Sequence, residues 1–242
     1  MMLFSTICYK LPVYGWIAPD MFEGRFAVVP LIIVNYFGHA QAIGIVGSAL
    51  NRFTAVFSPH RHRDYWWKAS HVTIFTCIMW ILPIFAVIPL FFAEFTVVKN
   101  NVTNGVNFHA KDINFQRAYF ISIAALDGLV VNTFVGALYL SIFFRIQNHV
   151  HIRRPHELAL RLATSAFIIF TCYLFLGVCS LLSALAPESK IWMYRSFWFI
   201  VNDVLCSTNA PVLLALNKPI RKKMLKTMGF HIQSTQKSSL LL

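Results

Sequence analysis

The sequence predicts an all-α membrane protein, a helical bundle with five complete transmembrane helices. Its composition, the length of its apolar blocks and the placement of its basic residues lead to this fold class. Of 242 residues, 57% are hydrophobic and 12% are charged, whereas soluble domains carry about 25% charged residues. The mean hydropathy is +0.62. The net charge is +12, and the basic residues lie between apolar blocks and not within polar stretches. This pattern predicts a lipid bilayer as the partner and no nucleic acid.

Five apolar blocks are long enough to cross the hydrocarbon core, which needs about 20 helical residues. Each block must be helical, because a spanning backbone has no water to satisfy its amides. Packed membrane helices tolerate proline, which occurs at Pro30 in a first turn and at Pro83, Pro89 and Pro211 as predicted kinks. We expect a single transmembrane domain over residues 1–242, with spans at 26–50, 71–92, 118–144, 163–186 and 193–216.

The opening stretch, MMLFSTICYKLPVYGW, is apolar but too short to span a bilayer. It has no charged n-region and no clear cleavage site, which distinguishes it from a signal peptide. Residues 1–16 are therefore interpreted as the remnant of a preceding helix whose beginning is missing. An ordinary extracellular tail is the alternative interpretation.

The orientation follows from the lysine and arginine residues, which concentrate in cytoplasmic loops. Fourteen of the 21 lie in the stretches 52–68, 145–161 and 217–242, and seven, including Lys10, lie in the opposite connections. This distribution predicts that residues 1–25 are outside and that the tail 217–242 is cytoplasmic. A glycosylation sequon at Asn101 falls in a predicted outer loop, in agreement with this orientation.

Two aspartates lie at mid-membrane depth, where ionisable groups are costly and face partners or water. With a rise of about 1.5 Å per residue, Asp127 and Asp203 are about 14 and 15 Å below the outer ends of their spans. Equal depths predict a shared ligand pocket or internal switch. The alternative is that each carboxyl is protonated and hydrogen-bonded between helices, with no ligand. The other residues of this predicted pocket are Asn35, His39, Asn132, Trp198 and Asn202.

The remaining polar groups predict no metal site, no cofactor and no enzymatic activity. The five cysteines lie inside apolar stretches and are interpreted as small buried residues. The histidine-rich stretch HVHIRRPHELALR lacks a repeated ligand geometry and is interpreted as a basic cytoplasmic loop. No paired catalytic motif such as His-Glu-x-x-His is present in the sequence.

Two stretches carry a family resemblance. SALNRFTAVFSP, at the inner end of the first complete span, resembles the third helix of nematode serpentine receptors, which are seven-transmembrane G-protein-coupled chemoreceptors. FIVNDVLCSTNAPVLLALNKPIRKKML resembles their seventh helix and the short basic helix after it. The likeness covers about residues 20–226, and serpentine classes V and gamma match best. On this alignment the five spans are the third to seventh helices, and the chain is N-terminally truncated.

The resemblance implies ligand-triggered signalling to a heterotrimeric G protein at the plasma membrane, usually in chemosensation. It implies that Asn51, Arg52 and Phe53 couple to the G protein, although an arginine that only marks the membrane boundary is an alternative for Arg52. Asn209 and Pro211 are what remains of the Asn-Pro-x-x-Tyr switch motif, without its tyrosine. The ligand, a small molecule or a peptide, is not identified. Two other functions stay open: a transporter or channel that uses the buried aspartates, and an inert or partner-only receptor isoform.

Overall fold

The computed structural model describes residues 9–14, 16, 24–58, 61–62, 66, 68–99, 106–148, 156–186, 188–216, 224 and 227. Within these ranges, the side chains of residues 24–25, 99, 107, 146, 148, 156–166, 188–189, 191–192, 206 and 208–216 are outside the description. The predicted glycosylation site Asn101, the side chains of Asn209 and Pro211, and most of the tail 217–242 therefore lie outside the described residues.

Five long helices form the described bundle. The third, α3, is continuous but consists of three segments, Ile113–Ile123, the π-helical Ala124–Val131 and Asn132–Asn148. The other four are α1 (Val29–Phe57, entered through a 3₁₀ turn Gly24–Val28), α2 (Ala69–Phe91), α4 (His156–Leu185) and α5 (Glu188–Leu216).

The described residues contain four helical stretches that are long and apolar enough to cross a membrane, at 26–57, 69–91, 113–145 and 167–185. These stretches contain the first three predicted spans almost completely and most of the fourth. Helix α5 contains the fifth predicted block, whose crossing of the membrane stays a prediction. Helix α1 continues past residue 50 to Phe57, because a helix does not end where the hydrocarbon ends.

The opening stretch is helical where it is described. A short π-helical turn at residues 9–10 leads into the helix Leu11–Val13. Its interpretation as the end of a preceding helix stays a prediction, and residues 1–8 lie outside the described residues.

A two-stranded antiparallel hairpin lies between α2 and α3, in a connection where we predicted no strand. Strand β1 (Phe95–Lys99) pairs with β2 (Val106–Ala110), so that Phe95 lies opposite Ala110 and Val97 opposite Phe108. Alternate side chains point to one face, as in any strand. On that face Phe95, Phe108 and Ala110 are buried, which places the hairpin against the outer ends of the helices.

The start of α3 is determined by its N-cap. Asp112 accepts hydrogen bonds from the backbone N–H groups of Asn114 at 2.9 Å and Phe115 at 3.2 Å, which satisfies two donors that the helix itself cannot. The Gln116 side chain accepts a bond of 2.7 Å from the N–H of Ala110. Helix α3 therefore begins before the predicted residue 118, and its first turn is bonded to strand β2.

Two apolar clusters form the core. The outer cluster joins the hairpin to the opening stretch and to the outer ends of α1, α2, α3 and α5; its most buried members include Val13, Leu31, Leu90, Val106 and Phe108. The inner cluster joins α1, α3, α4 and α5 through Ala42, Ile45, Ala49, Val135, Ile169, Tyr173 and Leu205. Helix α1 also packs closely against α2. A side-chain carbon at Gly47 would overlap the ring of Phe75 on α2, so this contact requires a small residue.

Candidate ligand cavity and cytoplasmic contact

A cavity of about 630 Å³ lies between α1, α3, α4, α5 and strand β2. Its volume is within the range of pockets that enclose small organic ligands. Five of the seven predicted pocket residues line it, namely Asn35, His39, Asp127, Trp198 and Asn202. The structure thus brings together polar residues from three helices that the sequence placed at similar depths. Their role in ligand binding stays a prediction.

The deepest polar contact of the cavity joins α1 to α3. Nδ1 of His39 lies 3.0 Å from Oδ2 of Asp127, and only 6% of the His39 side chain is exposed. Asp127 belongs to the π-helical segment of α3. Single π turns inside α-helices rotate the side chains that follow, and they occur frequently at functional sites.

In and beside the cavity, three buried polar atoms have no hydrogen-bond partner among the described residues: Nε2 of His39, Oδ1 of Asn132 and the Tyr173 hydroxyl. Such atoms are rare in folded proteins because leaving them unpaired costs free energy. His39 and Tyr173 both line the cavity. Two residues at the floor of the cavity therefore carry buried polar atoms that have no partner among the described residues.

Asn132 is buried next to the cavity and does not line it. Its Nδ2 donates a hydrogen bond of 3.1 Å to the carbonyl of Gly128, within the π-helical segment. A side-chain carbon at Gly177 on α4 would overlap this same nitrogen. Gly177 is therefore needed for the close approach of α4 to α3, and Asn132 supports the segment that carries Asp127.

Asp203 is not among the residues that line the cavity, although its neighbour Asn202 is, so a pocket shared by the two aspartates stays a prediction. The Asp203 carboxylate pairs with the ammonium group of Lys10, which is 5.5 Å from the centre of the Phe199 ring. Lys10 is buried, although the charge count assigned it to an outer connection. The physical reason is mutual neutralisation, because each charge makes the other acceptable at this depth.

Further residues that were not predicted from the sequence line the cavity. Tyr173 is a polar side chain inside the fourth apolar block, a signal that the sequence contains. His109, Arg117 and Arg195 belong to connections or helix ends, and nothing in their spacing indicates a cavity. Among the described residues, no group of three or more histidine, cysteine or acidic side chains is arranged to hold a metal ion.

A second contact joins α1 to α3 at the opposite end of the bundle. The Arg52 guanidinium lies close to the Tyr139 side chain and interacts with it electrostatically. Phe53 stacks on Phe57 with ring centres 4.3 Å apart, and the Arg145 guanidinium lies 5.7 Å from the centre of the Phe57 ring. Of the three residues predicted for coupling, Arg52 and Phe53 are packed in this cluster and Asn51 is exposed.

A multi-pass helical bundle that has a cavity at one end and an Asn-Arg-Phe sequence at the other is the architecture of a serpentine receptor. The chain belongs to the family of serpentine type 7TM GPCR chemoreceptors Srv, whose model matches residues 1–230. Serpentine receptor class V-1 of Caenorhabditis elegans is 48% identical over 229 residues, which are 95% of this chain and 74% of that relative. The resemblance to nematode serpentine receptors is thereby confirmed, and of the two classes named above the matching one is class V.

Proposed function

We propose that this protein is a chemosensory receptor that binds an external ligand in the cavity and signals to a cytoplasmic heterotrimeric G protein. It acts at the plasma membrane with its C-terminus in the cytoplasm, and it has no enzymatic activity. The family is a receptor family, and the sequence contains no paired catalytic motif. Its partners are the bilayer, the G protein and a small-molecule or peptide ligand.

One observation carries the proposal: the same two helices make a polar contact at each end. On α1, His39 and Arg52 are separated by about 20 Å, and on α3, Asp127 and Tyr139 by about 18 Å, at about 1.5 Å per residue. A ligand that shifts the His39–Asp127 contact changes the relative position of α1 and α3. The Arg52–Tyr139 contact then changes with it, because α1 and α3 are each continuous between the two sites.

The test is nucleotide exchange on a Gα subunit by the chain reconstituted in lipid nanodiscs. Because no ligand is identified, the probes are a panel of water-soluble carboxylates, amines and alcohols. We expect at least one to accelerate exchange. We expect Arg52→Ala to reduce that exchange about tenfold while probe binding is retained, since a hydrogen bond to a charged group contributes about 1.5–3 kcal/mol.

The matched control is Arg61→Ala, which removes an exposed arginine on the same side of the bundle and should leave exchange close to that of the unmodified chain. Tyr139→Phe should reproduce the loss in part. Exchange unaffected by Arg52→Ala contradicts the assigned role of Arg52. Probe uptake into liposomes without any exchange would support a transporter, and neither activity would support an inert or partner-only isoform.

A further inference from the structure

The charges that line the cavity differ between its two ends. Arg117 on α3, Arg195 on α5 and His109 on β2 line the outer end. Among the described lining residues the single carboxylate is that of Asp127, which is paired with His39. Asp127 is ten residues further along α3 than Arg117, a separation of about 15 Å along a helix. The cavity is therefore basic at its entrance and polar but paired at its floor.

The two arginines belong to one cluster. The Arg195 guanidinium lies 5.9 Å from the centre of the Phe120 ring, and Phe120 is one helical turn from Arg117 on the same helix. In the described part of the chain, no carboxylate is within salt-bridge distance of either arginine. The acids near the start of α3 have other partners, because Glu94 pairs with Lys111 and Asp112 caps α3.

Two guanidinium groups that line one partly enclosed cavity, with no counter-charge among the described residues, favour an anionic ligand. A guanidinium presents parallel N–H donors that match the two oxygens of a carboxylate, and such charge-assisted pairs are among the strongest hydrogen bonds in proteins. A cationic ligand meets repulsion from both arginines at the same place.

The wall between the two ends is mainly apolar, with the side chains of Leu31, Val34, Phe120, Ile123, Leu176 and Phe199. Asn35, Ser180 and Asn202 add polar groups to it. An aliphatic chain buries its surface against such a wall at about 25 cal/mol per Å². The floor is lined by His39 and Tyr173, whose Nε2 and hydroxyl are buried without a partner among the described residues.

We propose that the cavity binds an amphipathic aliphatic carboxylate, with the carboxylate at Arg117 and Arg195 and the chain directed toward His39. This ligand class rests on the proposed function in one respect, that the cavity is the ligand site. A hydroxyl or carbonyl group at the far end of the chain bonds to His39 or Tyr173 and increases the affinity.

Saturable binding of tritiated decanoate to the whole chain in nanodiscs tests the proposal, with empty nanodiscs to subtract partition into lipid. We expect methyl decanoate and decylamine to compete about tenfold more weakly than unlabelled decanoate, because each lacks the charge that pairs with arginine. We expect 10-hydroxydecanoate to compete more strongly than decanoate, and His39→Gln to reduce that difference.

The double variant Arg117→Gln/Arg195→Gln should weaken decanoate binding about tenfold or more. Arg145→Gln is the matched control, because it removes the same charge from the other end of α3 and should leave binding unchanged. Thermal unfolding of each variant establishes that it is folded. Unsaturable decanoate binding, equal competition by decylamine, or unchanged binding by the double variant would overturn the ligand class.

The two proposals fail separately. If an amine or alcohol activates nucleotide exchange and decanoate does not bind, the receptor function stands and the ligand class is wrong. If decanoate binds in an arginine-dependent manner and no probe activates exchange, the ligand class stands and the receptor function is wrong.

Discussion

The ion pair between Lys10 and Asp203 connects the opening stretch of the chain to α5. They are separated by 193 residues in sequence, and the ammonium group is buried while 42% of the Asp203 side chain is exposed. Removing one member of such a pair leaves the other without a counter-charge in an environment of low dielectric constant. The pair therefore holds the opening helical stretch against α5.

We expect Lys10→Met to lower the free energy of unfolding by about 2 kcal/mol. This is less than the cost of about 2.5–3.5 kcal/mol for placing an unpaired charge at the centre of a membrane helix, because Asp203 is partly exposed. The double variant Lys10→Met/Asp203→Asn should recover most of that loss. Denaturant unfolding of the unmodified chain, Lys10→Met, Asp203→Asn and the double variant measures the coupling free energy between the two residues.

The control for this cycle is Lys111→Met. Lys111 pairs with Glu94, but both side chains are more than half exposed, and such surface pairs contribute at most about 1 kcal/mol. Strictly additive effects of the Lys10 and Asp203 substitutions would show that the ion pair does not stabilise the fold.

At the scale of the element, the π-helical segment of α3 determines where Asp127 lies. Asn132 stabilises the segment through its hydrogen bond to the carbonyl of Gly128. Helix α4 packs closely against the segment, since a side-chain carbon at Gly128 would lie 3.2 Å from the carbonyl oxygen of Gly177. Small residues at a helix contact allow the backbones to approach this closely. The floor of the cavity thus depends on two glycines that do not themselves bind anything.

We expect Gly177→Ala to lower the free energy of unfolding by about 1–3 kcal/mol, the usual cost of overpacking, because the new carbon displaces the Asn132 side chain. Gly44→Ala is the matched control: its new carbon would be in ordinary contact, 3.7 Å from Sδ of Met79. Thermal unfolding in detergent compares the two, and equal midpoints would contradict a constrained contact between α3 and α4.

The β-hairpin between α2 and α3 was not predicted from the sequence. FTVVK and VNFHA alternate apolar and polar residues almost completely, and Asn104-Gly105 between them is a favourable turn sequence. These signals favour a hairpin, but a strand is not expected in a connection between two membrane spans, so no hairpin was predicted. The hairpin matters to the site because it supplies His109 to the cavity and bonds to the first turn of α3.

At the scale of the whole molecule, the orientation in the membrane decides which end of the bundle meets the ligand. The excess of basic residues predicts that Arg52 and the C-terminus are in the cytoplasm. Lys10, which the charge count assigned to the outer side, is buried. Arg117 and Arg195 are predicted to be on the outer side, and both line the cavity.

An epitope tag after Leu242 should be accessible to antibody only after permeabilisation of expressing cells, and a tag inserted beside Asn101 should be accessible without it. The physical reason is that cytoplasmic loops retain lysine and arginine during insertion. Immunofluorescence on intact and permeabilised cells measures both, each tag serving as the control for the other. The reverse pattern would place Arg52 outside and contradict coupling to a G protein.

The sequence by itself determined the membrane class, the positions of the long helices and the polar residues at mid-membrane depth. This is possible because the thickness of the hydrocarbon imposes a length and a composition on every span, so that His39 and Asp127 stand out against an apolar background. Only the tertiary structure decided that His39 pairs with Asp127 and Lys10 with Asp203, and that Arg117 and Arg195 meet at one cavity. These choices depend on the rotation of each helix about its axis, which small residues such as Gly177 and a local π turn control and which the apolar pattern of a span does not specify.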